Sequence, residues 1–331
     1  MNDVRGARPS LQASRLRNLM LQAAQDETQI VPMACSYDAL SSKLTQDAGF
    51  PVVFLSGFVV AASLGLPDTG YIAFGEMTQK IAEVVRQVDV PILVDGDTGY
   101  GGPMNVKRTV QGFALAGAAG VMIEDQTWPK RRISSPLKSP SGKTADPDMN
   151  EPGCGHSQGK TVVPEDEAYA RIQAAVDARN EGLDIWILGR TDSLILGYDE
   201  AVKRARRFIE IGVDAVFVEA VPDRAMMKRL VQDLQFPCMV NIIPGGCTEV
   251  VSTKDLAAMG YACVVYPFAL IAAKIKAVRQ ALQDLKASFE SGNLPDTLEA
   301  NEVFEAVGFP QYYAEEDRYQ YTGVRNRRKE Q

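Results

Sequence analysis

The chain has 331 residues, 46% of them apolar and 23% charged, which is material for one large core or two small ones. A net charge of −7 argues against a nucleic-acid partner, because a phosphate backbone selects a basic face. Five scattered cysteines (35, 154, 238, 247 and 263), one histidine and no CxxC argue against a secreted disulfide framework and against a zinc site, and favour a reducing, cytoplasmic setting.

At the N-terminus Arg5, Arg8, Arg15 and Arg17 alternate with Ser10 and Ser14. Asp3 counters that transit-peptide pattern, so organelle import stays an alternative. Residues 16–24 read as a short surface helix. Apolar, β-branched runs then recur at 31–35, 52–56, 91–95, 120–124, 185–190, 215–219, 238–242 and 263–266. Amphipathic stretches separate them at 77–87, 106–116, 165–179, 198–211 and 253–259. Glycines in "DAGF", "LAGAAG", "EIGVDA" and "AAMGYA" suit helix C-caps ahead of buried strands. Eight strands alternating with helices predict a (β/α)8 TIM barrel in one domain, 1–331. A doubly wound sheet would carry a glycine fingerprint after its first strand, and residues 35–39 carry none. Further helix follows at 271–288 and 301–309 as a C-terminal extension to about 320, and "RNRRKEQ" reads as a frayed basic end.

In such a barrel the chemistry sits where strands end. Reading past each strand yields Ser56-Gly57, Asp95-Gly96-Asp97, Glu124-Asp125, Arg190-Thr191-Asp192, Glu219 and Asn241. Asp95 and Asp97 share one side of an extended chain, and carboxylate oxygens with glycine beside them suit Mg2+, with Mn2+ as the alternative ion. A strand-end turn with capping aspartates is the structural alternative. Arg190 follows an apolar strand, so its guanidinium needs an anion, either a substrate carboxylate or a structural partner such as Glu219 or Asp192. Cys154 in "GCGHSQGK" lies near Lys130, Arg131 and Lys160 in sequence, a setting for a low-titrating thiol; a loop cysteine without a role is the alternative.

The ordered motifs "LSG", "LGLPDTG", "VDGDTGYGG", "NVKRTV", "AGAAGVMIEDQ", "PKR", "CGH", "GK", "GRTD" and "VEA" run through residues 55–220, within a similarity that covers about 31–285. Together they resemble the isocitrate lyase and phosphoenolpyruvate mutase superfamily. "PQYYAEEDRY" is similar to the closing segment of its petal-death-protein branch, whose members cleave 2-alkylmalates. The resemblance implies a barrel whose last helix is swapped between partners, in dimers or tetramers. It also implies Mg2+ and a 2-hydroxy or 2-oxo diacid substrate. Asp97 would contact the ion most directly, with Asp68, Asp95 and Glu124 acting through its waters. Ser56 and Gly57 would hold a substrate carboxylate, Arg190 would clamp it, and Glu219 and Asn241 would support the clamp. Lys130 and Cys154 would belong to a gating loop, Cys154 as the acid, with Gly155 and His156 beside it at the substrate. Phe58 would form an apolar wall for an alkyl group.

Branch details follow from the same resemblance. Cys154 and Gln126 favour C–C lyases over phosphonate P–C enzymes, and Pro267 disfavours oxaloacetate hydrolysis. "YPFALIAAK" lacks the arginine usual in methylisocitrate lyases. Phe54 stands where those lyases carry a tyrosine, which leaves the base unassigned. Pro244 replaces a usual glutamate and Gly189 a usual alanine. Relatives read KRCGH without a break, so about 132–153 is an insertion, expected to be mobile without ligand and dispensable for folding. The expected activity is a Mg2+-dependent C–C lyase acting on a 2-alkylmalate. Oxaloacetate hydrolysis, phosphonate P–C chemistry or a non-catalytic barrel are the alternatives.

Overall fold

All eight apolar runs become strands: β1 (Val31–Ser36), β2 (Val53–Leu55), β3 (Ile92–Asp95), β4 (Gly120–Glu124), β5 (Trp186–Thr191), β6 (Ala215–Val218), β7 (Cys238–Asn241) and β8 (Cys263–Tyr266). They pair in parallel in sequence order, and β8 returns to β1 to close the (β/α)8 barrel. The computed structural model describes residues 6–128, 130, 161–292 and 295–319. These fall into two units, Met1–Ala272 and Ala273–Gln331.

The first unit holds the barrel and its helices: α1 (Leu11–Gln25), α2 (Ala39–Asp47), α3 (Gly57–Ser63), α4 (Phe74–Val85), α5 (Pro103–Ala116), α6 (Glu165–Glu181), α7 (Tyr198–Ile211), α8 (Arg224–Leu234) and α9 (Thr253–Ala258). Helix α5 opens on proline at its first turn and stops at Gly117, whose φ of +105° admits glycine at little cost. Gly212 ends α7 in the same way. The strands are buried and apolar up to their C-terminal residues because helices cover one face and the barrel core fills the other.

Register has a direct consequence for the site. Glu124 at the end of β4 lies level with Arg190 of β5, which lies level with Phe217 of β6. Charged residues from neighbouring strands are thereby placed side by side at the C-terminal rim.

Residues 16–24 do not form a short surface helix. Helix α1 runs a further turn at its start, capped by the Ser10 hydroxyl, and buries Ala13, Leu16 and Met20. Its Arg17 is also buried, paired with Asp184 at 2.8 Å and Asp214 at 3.5 Å. Leu16 would be 2.7 Å from a Cβ placed on Gly120, the first residue of β4, so α1 packs against the start of the barrel. Two aspartates from distant loops neutralise the buried arginine.

The second unit contains most of α10 (Ala269–Ser291), then α11 (Ala300–Val307) and α12 (Phe309–Arg318). The helix expected at 301–309 ends instead at Gly308, whose φ of +89° breaks it, and a second helix follows. Phe304 and Phe309 pack across that break with ring centres 5.0 Å apart. Among the described residues no helix is long and apolar enough to cross a membrane.

Candidate active site at the C-terminal rim

The polar residues picked at the strand ends converge. Ser56, Phe58, Asp95, Arg190, Glu219, Asn241 and Pro267 line one cavity of about 30 Å³. Larger hollows exist elsewhere: about 410 Å³ beside α1, and about 670 Å³ along α6, α7 and α8. Both lie away from the C-terminal strand ends, and the small cavity is the one where the charges at those ends meet.

Its centre is Arg190. The guanidinium Nε donates to Asp192 Oδ2 at 2.9 Å and lies 3.2 Å from Glu124 Oε2. Its Nη2 donates to Asp192 Oδ1 at 3.1 Å and lies 3.4 Å from Glu219 Oε2. The structural alternative for Arg190 is therefore realised, with both aspartate and glutamate partners. Among the described residues Nη1 donates no hydrogen bond, which leaves that corner of the fork for a ligand carboxylate. Burial works against the charge, but Asp192, Glu219 and Glu124 together outweigh it and raise the Arg190 pKa well above the ordinary value. The Phe217 ring lies 5.4 Å from the guanidinium carbon. Asn241 donates its amide to Glu219 at 3.3 Å, holding that carboxylate against the arginine.

A second cation organises the acidic loops. The Lys130 ammonium donates to Asp68 at 2.9 Å and lies 3.3 Å from Asp97 and 3.7 Å from Glu124. Asp68 comes from the loop after α3, Asp97 from the loop after β3, and Lys130 from the loop after β4. Asp95 instead braces backbone, since one oxygen accepts from the Gly57 amide and the other from the Asp97 amide, each at 3.0 Å. The Gly57 N–H, expected at a substrate carboxylate, is thus given to Asp95 in this arrangement. Burial raises the pKa of Asp95 and raises that of Asp97 further; Lys130 opposes this, while the neighbouring carboxylates add to it.

This donor set fits a divalent cation by its chemistry. Both carboxylate oxygens of Glu124 are buried and accept no hydrogen bond, and Asp68, Asp97 and Glu124 crowd around one ammonium. Among the described residues no three carboxylate, thiol or imidazole groups already converge as a ligand set.

Beneath the rim lies a network around Asp125, which the strand-end reading places beside Glu124. Asp125 accepts from Thr191 Oγ1 at 2.7 Å, from the Asp192 amide at 2.9 Å and from Arg204 at 3.0 Å. It thereby fixes the backbone of Asp192, the main partner of Arg190. Burial and the Asp192 charge push its pKa up to about 6. Unassigned cavity residues are Cys35, Phe54, Met122, Phe217, Met239 and Ile243. Four of them had a signal: Phe54, Met122, Phe217 and Met239 each sit two residues before a polar residue already picked, and strand periodicity of two puts both on one side. Gly189, on the opposite side from Arg190, meets Phe208: an added Cβ would lie 3.0 Å from that ring, so glycine here reflects tight strand-to-helix packing. Cys154, Gly155, His156 and the insertion at 132–153 lie outside the described residues.

Comparison with known proteins agrees with this geometry. The model of the phosphoenolpyruvate phosphomutase family matches residues 21–286. A probable 2-methylisocitrate lyase of Corynebacterium glutamicum is 33% identical over 90% of each chain. The chloroplastic carboxyvinyl-carboxyphosphonate phosphorylmutase of Arabidopsis thaliana is 35% identical over 85% of this chain and 77% of its own. Among solved structures, 2,3-dimethylmalate lyase superposes with a TM-score of 0.78 at 30% identity, covering 92% of this chain and 94% of its own.

Proposed function

This chain belongs to the phosphoenolpyruvate phosphomutase family, and we propose that it is a Mg2+-dependent carbon–carbon lyase that cleaves a 2-hydroxy diacid of the 2-alkylmalate type. The observation that carries the substrate class is the composition of the cavity wall. Phe54, Phe58, Met122, Phe217, Ile243 and Pro267 line it, and Arg190 is the one cation among its described lining residues. Phe58 is backed by Phe268, ring centres 4.7 Å apart, which stiffens that wall. An alkyl substituent gains by burying against such a surface, whereas an additional carboxylate there would lose its water without a partner. Cleavage of 2-methylisocitrate is the second reading, favoured by the Corynebacterium relative.

The chain's own groups divide the work. Arg190, through Nη1, holds the carboxylate next to the hydroxyl-bearing carbon. The Ser56 hydroxyl, also at the cavity, can donate to the same group. Asp97 would hold Mg2+ most directly, with Asp68, Asp95 and Glu124 around its waters. When bound, the ion supplies positive charge where the substrate oxygens gather negative charge. The hydroxyl proton leaves, the C–O bond becomes C=O, and the pair of the adjacent C–C bond moves onto the departing carbon. That product is the enediolate of a carboxylic acid, and it takes a proton at carbon, which we assign to the Cys154 thiol. Products are a 2-oxo acid and a carboxylic acid.

The same proposal includes a homo-oligomer with exchange of the last barrel helix. Ile275, Val278, Leu282, Leu285 and Phe289 recur at helical spacing on α10 and are all exposed in the single chain, a stripe that a second copy would cover. Light scattering should give a dimer or tetramer mass. For activity, purified protein with Mg2+ should release a 2-oxo acid, read by mass, from 2-alkylmalates, and Cys154→Ser should abolish this. Consumption of 2-methylisocitrate with every 2-alkylmalate left intact would replace the first reading by the second.

A further inference from the structure

Trp128 has no role in the chemistry described above, yet it lies on the Lys130 loop and its indole meets both of the other loops that build the Lys130 cluster. A Cβ placed on Gly70 would lie 2.9 Å from Trp128 Cζ2 and 3.0 Å from Cη2, so the six-membered ring rests on the Gly70 backbone. Gly70 has φ of +94° and follows Asp68 by two residues, so glycine serves there both the turn and the close approach. The opposite neighbour is Tyr100, edge-to-face with ring centres 6.1 Å apart. Tyr100 follows Asp97 by three residues, sits at φ +61°, and is itself clamped by Phe74 and Phe113, each 6.2 Å away. Trp128 in turn precedes Lys130 by two residues.

We propose that Trp128 is a positioning residue: a rigid plate between the Asp68 loop and the Asp97 loop that holds both at the Lys130 cluster and so sets the affinity of the site for a divalent cation. The affinity claim rests on the reading that these carboxylates hold Mg2+; the positioning claim does not. Three ionic contacts between separate loops lose their geometry readily, because each loop moves without the others unless something incompressible ties them. Side chains that support a metal site in this way change its affinity by roughly 10- to 100-fold when removed.

The test uses full-length protein with Trp128→Ala, Trp128→Phe and, as a control for general destabilisation, Leu230→Ala in the buried face of α8. Amide exchange should accelerate about 10-fold at both 66–72 and 97–102 in Trp128→Ala, an opening of local rather than global structure. Phenylalanine lacks the Cζ2 and Cη2 atoms that meet Gly70, so Trp128→Phe should accelerate 66–72. Leu230→Ala should leave both loops unchanged. In calorimetry the Mg2+ dissociation constant should rise about 10-fold in Trp128→Ala and stay unchanged in Leu230→Ala. Unchanged loop exchange in Trp128→Ala, or equal acceleration in Leu230→Ala, overturns the positioning role. Wild-type protein that takes up no Mg2+ overturns the cation reading and the affinity claim with it, while the exchange pattern still decides whether Trp128 ties the loops.

Discussion

Replacing Arg190 by methionine removes the centre of a buried charge cluster while nearly keeping its volume. Three carboxylates then face one another without their shared cation: Asp192, Glu124 and Glu219, at 2.9, 3.2 and 3.4 Å from the present guanidinium. All three are almost wholly buried. Breaking a buried pair by removing one partner costs about 3–5 kcal/mol, since the other charge stays desolvated. Three partners do not triple that figure, because carboxylates deprived of Arg190 protonate rather than remain charged. For a barrel unit ending at Ala272, an unfolding entropy of about 2.1 cal/mol/K per residue gives about 0.6 kcal/mol/K, so a loss of about 4 kcal/mol lowers Tm by about 7 °C. The loss should also depend on pH. Carboxylates raised in the folded variant bind more protons there than in the unfolded chain, so the variant regains stability as pH falls from 8 towards 5. Urea denaturation at pH 8 and pH 5 reads both effects, and Arg190→Met/Asp192→Asn should recover part of the loss at pH 8. A cost below about 1 kcal/mol at pH 8, or one of equal size at both pH values, would refute the argument that these carboxylates depend on Arg190.

Asp125 titrates near pH 6 in the folded protein and near 4 when unfolded, so between those values the folded state binds the extra proton. Its stabilising contribution is full below pH 4 and is lost as pH rises to about 6, by roughly 3 kcal/mol; stability against pH over that window should be flatter in Asp125→Asn, and an unchanged slope would assign the titration elsewhere. Burial pushes the Cys238 thiol up to about 12 and Cys263 higher still, whereas Cys247 is exposed. Alkylation of native protein at pH 8 should therefore mark Cys247, and peptide mass mapping that finds adducts on Cys238 or Cys263 would contradict the packing of β7 and β8. Gly120→Ala should lose about 1–3 kcal/mol in urea, because its Cβ would stand 2.7 Å from Leu16, 3.0 Å from Leu93 and 3.1 Å from Trp186. Leu16→Ala should lose about 2–5 kcal/mol, and a cost near zero would return α1 to the surface.

The barrel and the convergence of its candidate site were legible in the chain because both rest on local pattern. β-branched runs of strand length, glycines at helix ends and polar residues just past each run mark strand, cap and rim without reference to anything distant. Asp95, Glu124, Arg190, Glu219 and Asn241 were picked on that ground, and Phe217 and Met239 could have been picked by moving two residues up the strand. Partnership is another matter, since it is set by register between strands and by loops that approach from far apart in sequence. Only the closed barrel puts Glu124 level with Arg190, sends the Gly57 amide to Asp95, and brings Asp68, Asp97 and Lys130 from three loops to one point. The burial of α1 was hidden for the same reason: a buried Arg17 is sustained only by Asp184 and Asp214, which arrive from the loops before β5 and β6. Trp128 shows no pattern of its own in the sequence, because an indole seated on a glycine 58 positions earlier is a fact of loop-to-loop contact. Local propensity thus determined which elements form and which end of the barrel is polar; tertiary packing decided which charges neutralise one another and which remain for a cation and a carboxylate.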